Sequence, residues 1–179
     1  AFLERYGAAQ VARNRRITAW VQQRLAHLRE HKGPAAEEGF VVHATMADPR
    51  WLDPNVDPND RKPNWSYMGD PRMVNDAPAG LARFCTMRSW LSQWSYDLSN
   101  ANGPACGKRI SVPTLVIGNT ADDGCTPSHT KRIYDAIAST DKTKQLIQGA
   151  THYYFGQPDK LAEAVGVVDA WLKERDFWG

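Results

Sequence analysis

The sequence predicts an α/β protein with parallel strands, and three observations predict it. Val112 to Gly118 is a short bounded apolar run, as in a strand buried on both faces. A helical segment follows, then a second strand-like run at Lys144 to Gln148. Pro158 opens a last helix whose Leu161, Val165, Val168, Trp171 and Leu172 form one apolar stripe. Strand, helix, strand, helix implies parallel pairing through right-handed crossovers.

The elements before this stretch read differently. Residues 2–31 predict one long helix, with Val11, Ile17, Trp20, Val21, Leu25 and Leu28 at three- and four-residue steps and Gly33-Pro34 as its stop. Phe40 to His43 is a short strand or an anchored loop. From Asp48 to Pro71 four Asp-Pro pairs, at Asp48, Asp53, Asp57 and Asp70, argue against regular helix, because the residue before proline avoids the α region. Trp51, Trp65 and Tyr67 make this loop either a segment packed flat on a core or the wall of an apolar pocket. Residues 78–98 carry a helical pattern again through Leu81, Phe84, Cys85, Arg88, Leu91, Trp94 and Leu98. Thr126-Pro127 supplies a cap and a first-turn proline for the helix after the first strand. The division expected is 1–108, helical and Trp-rich, and 109–179, α/β.

Composition narrows the function. With 42% hydrophobic and 23% charged residues the chain is globular rather than disordered. A net charge of +2 argues for neither nucleic acid nor anionic membrane. Residues 1–32 do carry seven Lys/Arg against two Glu, which reads as a solvated helix face or an interface. Cys85, Cys106 and Cys125 have no metal-ligand spacing and predict thiols in a reducing, cytoplasmic setting. The acids of the Asp-Pro loop lack calcium-loop spacing. No metal or cofactor is called for. The chain begins Ala-Phe-Leu-Glu and runs straight into helical pattern, as a cut end does.

The chemistry concentrates at two loops. A general base needs an imidazole held in one tautomer by a carboxylate. Asp122, beside Asp123, follows the first predicted strand, and His152 in Gly149-Ala-Thr-His follows the second, thirty residues later. Loops after parallel strands emerge on one edge of an open sheet, so the order places acid beside imidazole. Each alone reads more simply, as a capping acid and a buried polar histidine. His129 with Asp123 and His152 offers a metal site, although a first-turn helical position reads more simply as exposed. Cys125 reads as packing. Of Tyr153 and Tyr154, one faces the pocket and one the core.

These residues resemble the α/β-hydrolase family, whose triad runs nucleophile, acid, histidine along the chain. Leu115-Val-Ile-Gly-Asn-Thr-Ala-Asp-Asp123 is similar to the family's strand seven and acid turn. Asn119 falls where glycine is usual, which places the acid at Asp122 with Asp123 as fallback. Gly149 to His152 is similar to the histidine loop after strand eight, and Asp159 to Arg175 to the closing helix. The resemblance covers residues 110–176 and implies the C-terminal half of a hydrolase sheet. Residues 1–108 suit the position of the family's helical lid.

The departure is as informative. None of Ser66, Ser89, Ser92, Ser95, Ser99, Ser111, Ser128 and Ser139 sits in Gly-x-Ser-x-Gly, and no oxyanion-hole stretch is present. Two parallel strands, or three with Phe40 to His43, cannot stand alone. The expectation is therefore a cut precursor whose N-terminal chain supplies the other strands and the serine, joined across an interface above about 2,000 Å². Higher oligomers are also possible for such a pair. The function implied is hydrolysis of a carboxylic ester, thioester or amide, with Asp122 and His152 catalytic and Trp65, Trp90, Trp94 and Tyr153 lining a pocket for a small apolar or aromatic group. The alternative is a non-catalytic lid and scaffold module of a degenerate hydrolase.

Overall fold

An apolar stripe uninterrupted by proline gives α1, Phe2–Lys32, which buries Thr18, Val21, Leu25 and Leu28 on one face. Gly33, at φ 92°, ends it and donates its N–H to the Arg29 carbonyl. The computed structural model describes residues 1–42, 49–66, 68–76 and 84–177. His43, Asp48, Tyr67 and Leu81 of the sequence reading lie outside the described residues. Two compact units form, one from Ala1–Asp48 with Pro71–Asn102 and one from Pro49–Asp70 with Gly103–Gly179. The Asp-Pro segment, grouped by sequence with the lid, thus belongs with the strands that follow residue 109.

In the first unit the helix expected over 78–98 does not form as one piece. Phe84–Thr86 is strand β2, antiparallel to β1 (Gly39–Val41), with Phe40 opposite Cys85. β1 is therefore no third strand of a parallel sheet. The physical reason is Thr86, whose extended backbone and side-chain oxygen cap the next turn by accepting the Ser89 N–H. Beyond that cap Met87–Ser89 is helical and runs into a π-type turn, Trp90–Trp94. The short helix α2 covers Pro71–Asp76. Val21, Leu25, Leu28, Val42, Cys85, Met87 and Trp90 form the core here. Each fully buried aliphatic side chain contributes about 1.5–3 kcal/mol.

The second unit holds the predicted β-α-β-α series. β3 is Thr114–Asn119, β4 is Lys142–Ile147, and they pair in parallel with Thr114 opposite Lys142 and Asn119 opposite Ile147. β3 starts two residues later than expected, since Pro113 has no N–H to give a ladder and Val112 is exposed. Gly103–Gly107 is a short helix before it. The crossover helix, Pro127–Ala136, approaches β3 at Gly118, where a Cβ would meet Thr130 and Leu146 at 3.1 and 2.9 Å. The closing helix, Pro158–Lys173, packs Ala164 against Ile147 and Ala150, with Ile117 alongside. Gly118 and Ile117 are consecutive, so the two helices cover opposite faces. Among the described residues β3 and β4 have no other strand partner.

Candidate active site

The site grows from the ends of β3 and β4. β3 ends at Asn119 and the crossover helix starts at Pro127, so the acid turn between them is short. Within it Asp122 is 5% exposed, and its Oδ1 accepts the backbone N–H groups of Gly124 and Cys125, both at 2.7 Å. Such charge-assisted bonds are worth about 1.5–3 kcal/mol each and fix the carboxylate before it meets any partner. His152 Nδ1 lies 3.0 Å from Asp122 Oδ1 and 3.0 Å from Oδ2. A carboxylate only accepts, so Nδ1 carries a ring proton, and in the neutral ring Nε2 carries the lone pair. Gly124 lets the imidazole lie this close, because a Cβ there would stand 3.2 Å from Nδ1 and 3.3 Å from Cε1.

The histidine loop is tied down by side chains that the sequence reading did not single out for this task. Asn119 Nδ2 donates to the Thr151 carbonyl at 3.0 Å, while its Oδ1 accepts the Tyr154 hydroxyl at 2.9 Å. Asn119 was visible only as an oddity at a glycine position; a polar residue ending an apolar strand was the available signal. Gln157 accepts the Thr151 N–H and hydroxyl with Oε1, and donates to the Gly149 carbonyl with Nε2. Nothing in its sequence context marked it. Tyr154 packs on the apolar core beside Ile147, and Tyr153 meets the His152 ring edge-on at 4.6 Å between centroids. The choice left open between the two tyrosines is thus decided, with Tyr153 outward.

A cavity of about 530 Å³ opens at this point, its walls including Trp65, Met68, Asp123, His152, Tyr153 and Phe155. Lys62 Nζ lies 3.8 Å over the Trp65 ring. Trp65 and Tyr153 therefore share one cavity with His152. Trp90 and Trp94 are placed elsewhere, in the first unit. Trp90 is buried in that unit's core with its indole N–H on Thr18 Oγ1 at 3.0 Å, and Trp94 packs against the same cluster. Their helical spacing was a core signal, and the aromatic character alone could not separate core from pocket.

Three neighbours complete the electrostatics. Asp123 is buried, its Oδ1 has no hydrogen-bond partner among the described residues, and burial pushes its carboxyl above the ordinary range, with the Asp122 charge adding to the effect. Burial, with Asp122 again, pushes the Cys125 thiol up, which makes it a poor nucleophile. His129 stacks edge-on against Trp51 at 5.1 Å. Among the described residues no cluster of three or more metal-ligating side chains forms.

A buried carboxylate orienting an imidazole at the rim of a cavity can relay a proton to and from a nucleophile. No family model matches the chain, and no solved structure matches it. Among curated proteins, a caffeoylshikimate esterase from Arabidopsis thaliana is 28% identical over 131 residues, which cover 64% of this chain and 36% of that protein. The chain spans little more than a third of that relative's length. This partial likeness, to an α/β-hydrolase, points to the hydrolase family and no further.

Proposed function

We propose that the chain supplies the acid and base of a serine esterase of the α/β-hydrolase type, Asp122 and His152, and that the nucleophilic serine comes from polypeptide outside residues 1–179. The observation that carries the reading is the paired 3.0 Å contact of both Asp122 oxygens with His152 Nδ1. Two further facts support the external serine. No serine of this chain stands in the nucleophile-elbow frame, and among the described residues the parallel sheet has two strands where such a sheet needs neighbours and cover. The missing strands and the serine belong to one partner in this reading, an N-terminal piece of the same precursor.

In this mechanism His152 Nε2 takes the serine proton as the oxygen attacks the ester carbonyl. Asp122 stabilises the imidazolium that forms, and His152 returns the proton to the departing alcohol. A water then repeats the sequence on the acyl-enzyme. Trp65, Met68, Tyr153 and Phe155 give the cavity an apolar wall suited to a small apolar or aromatic acyl or alcohol group.

The test is p-nitrophenyl ester hydrolysis by the assembled enzyme carrying His152→Ala. The expected result is a loss of about 10⁶-fold in kcat with folding intact. Undiminished turnover would end the proposal. Intact-mass analysis of the purified assembly checks the second half, which requires a Gly-x-Ser-x-Gly segment in the same particle.

A further inference from the structure

We propose that the Asp-Pro loop Asp53–Arg61, locked from inside by the buried guanidinium of Arg61, is the positioning element for the catalytic acid. The proposal rests on Asp122 and His152 acting as acid and base. Arg61 is 2% exposed. Its five N–H donors all find oxygens between Trp51 and Asn59, four of them within the loop itself. Nε bonds the Trp51 carbonyl at 2.8 Å, and Nη1 bonds the Asp57 carbonyl at 2.9 Å and Asn59 Oδ1 at 2.7 Å. Nη2 bonds the carbonyls of Asp53 and Val56. A loop rich in Asp-Pro pairs has no regular ladder to satisfy its carbonyls, and one planar cation does so here. The lock is tight enough to hold Asp57 at φ 54°, a left-handed backbone that costs a non-glycine residue and persists only when its surroundings impose it.

What the locked loop touches gives it a purpose. Asp60 N–H donates to the Thr120 carbonyl at 2.8 Å, and Asp60 Oδ2 accepts the Thr120 hydroxyl at 2.7 Å. Asn59 Nδ2 donates to the backbone carbonyl of Asp122 itself at 2.7 Å. Asp57 accepts the Ser128 N–H at 2.9 Å, so it caps the crossover helix from another segment. Burial alone would raise the Asp57 carboxyl, yet hydrogen bonding at the start of the crossover helix, the Ser128 N–H included, outweighs it and holds it low. Thr120, Asp122 and Ser128 are the start, centre and exit of the acid turn. The loop thus grips that turn before, at and after the acid, and Asn59 joins lock to grip, since its Oδ1 holds Arg61 and its Nδ2 holds Asp122. A loop serving only stability has no reason to place its contacts on both sides of one carboxylate.

The test is a double-mutant cycle in the assembled enzyme, with ester hydrolysis as readout. Asn59→Ala is expected to lower kcat about tenfold with KM within about twofold, and to move the acid limb of the kcat/KM profile, because a displaced carboxylate stabilises the imidazolium less well. In an Asp122→Asn background the same change is expected to do nothing further, because the residue acts through Asp122. An unaltered kcat in Asn59→Ala, or an equal fractional loss in both backgrounds, overturns the proposal. Should Asn59→Ala fail to fold, Asp57→Ala runs through the same cycle with the same two criteria. Full activity in Asp122→Asn alone would instead remove the acid-base reading, so the two failures are distinguishable.

Discussion

The two units are held by different physics. Around α1 the interior is apolar, with Val21, Leu25, Leu28, Met87 and Trp90 each at 3% exposure or less. Its few buried polar atoms satisfy one another, as when Thr18 takes the Trp90 indole N–H and reaches Ser95 Oγ at 3.1 Å. Around the acid turn the buried side chains are polar, including Arg61, Asp122, Asp123 and Thr126. An apolar core is held by many non-directional dispersion contacts, none of which fixes the direction of a single polar atom. A hydrogen-bonded turn does fix it, because each bond has a narrow range of angle and length. The first unit's architecture gives stability, and the second's gives the placement of a carboxylate.

The contrast makes its largest prediction at Leu28. Leu28→Ala removes a fully buried side chain from the apolar unit and is expected to cost about 2–5 kcal/mol in urea unfolding. The folded fraction should keep its kcat, since every bond to Asp122 and His152 described above lies in the second unit. A parallel fall in kcat per folded molecule would show that the apolar core also tunes the site.

The same contrast explains what the sequence disclosed. α1, the crossover helix and the closing helix were legible because an apolar stripe at helical spacing is written in consecutive residues. Asp122 and His152 were legible because each ends a strand-like run. Within the helix expected over 78–98, Phe84–Thr86 was misread because Phe84 and Cys85 fit the helical period, while the pairing with β1 that overrides it depends on residues some 45 positions earlier. Arg61, Asn59, Asn119 and Gln157 were silent for a related reason. Their bonds span up to 63 residues or end on backbone carbonyls, and no periodicity encodes either. Trp90 and Trp94 pack with the first unit's core, and an aromatic stripe carries no mark that tells core from cavity.

A middle-sized effect is expected at Gly124, where the polar unit has no slack. A methyl group there stands 3.2 Å from His152 Nδ1, closer than side chains normally approach, so the ring must move by a few tenths of an ångström. Gly124→Ala is expected to lower kcat about tenfold while urea unfolding changes by less than about 1 kcal/mol. A large stability loss with normal turnover per folded molecule would place Gly124 with the packing residues instead.

The smallest effect belongs to Asp123, and its sign follows from proton linkage. Its carboxyl is raised because burial disfavours the charged form, with the Asp122 charge reinforcing this. The folded chain therefore keeps this proton at pH values where the unfolded chain has lost it. A state that binds more protons loses relative stability as pH rises, so Asp123 weakens the fold progressively from the ordinary carboxylate range up through its own raised one. Below that range both states are protonated and the residue is neutral in this respect. Asp123→Asn keeps the shape and cannot ionise. Its melting temperature should match that of the parent chain near pH 4 and exceed it at pH 7 to 8. A difference that is constant with pH, or that reverses sign, would show that folding does not raise the Asp123 carboxyl.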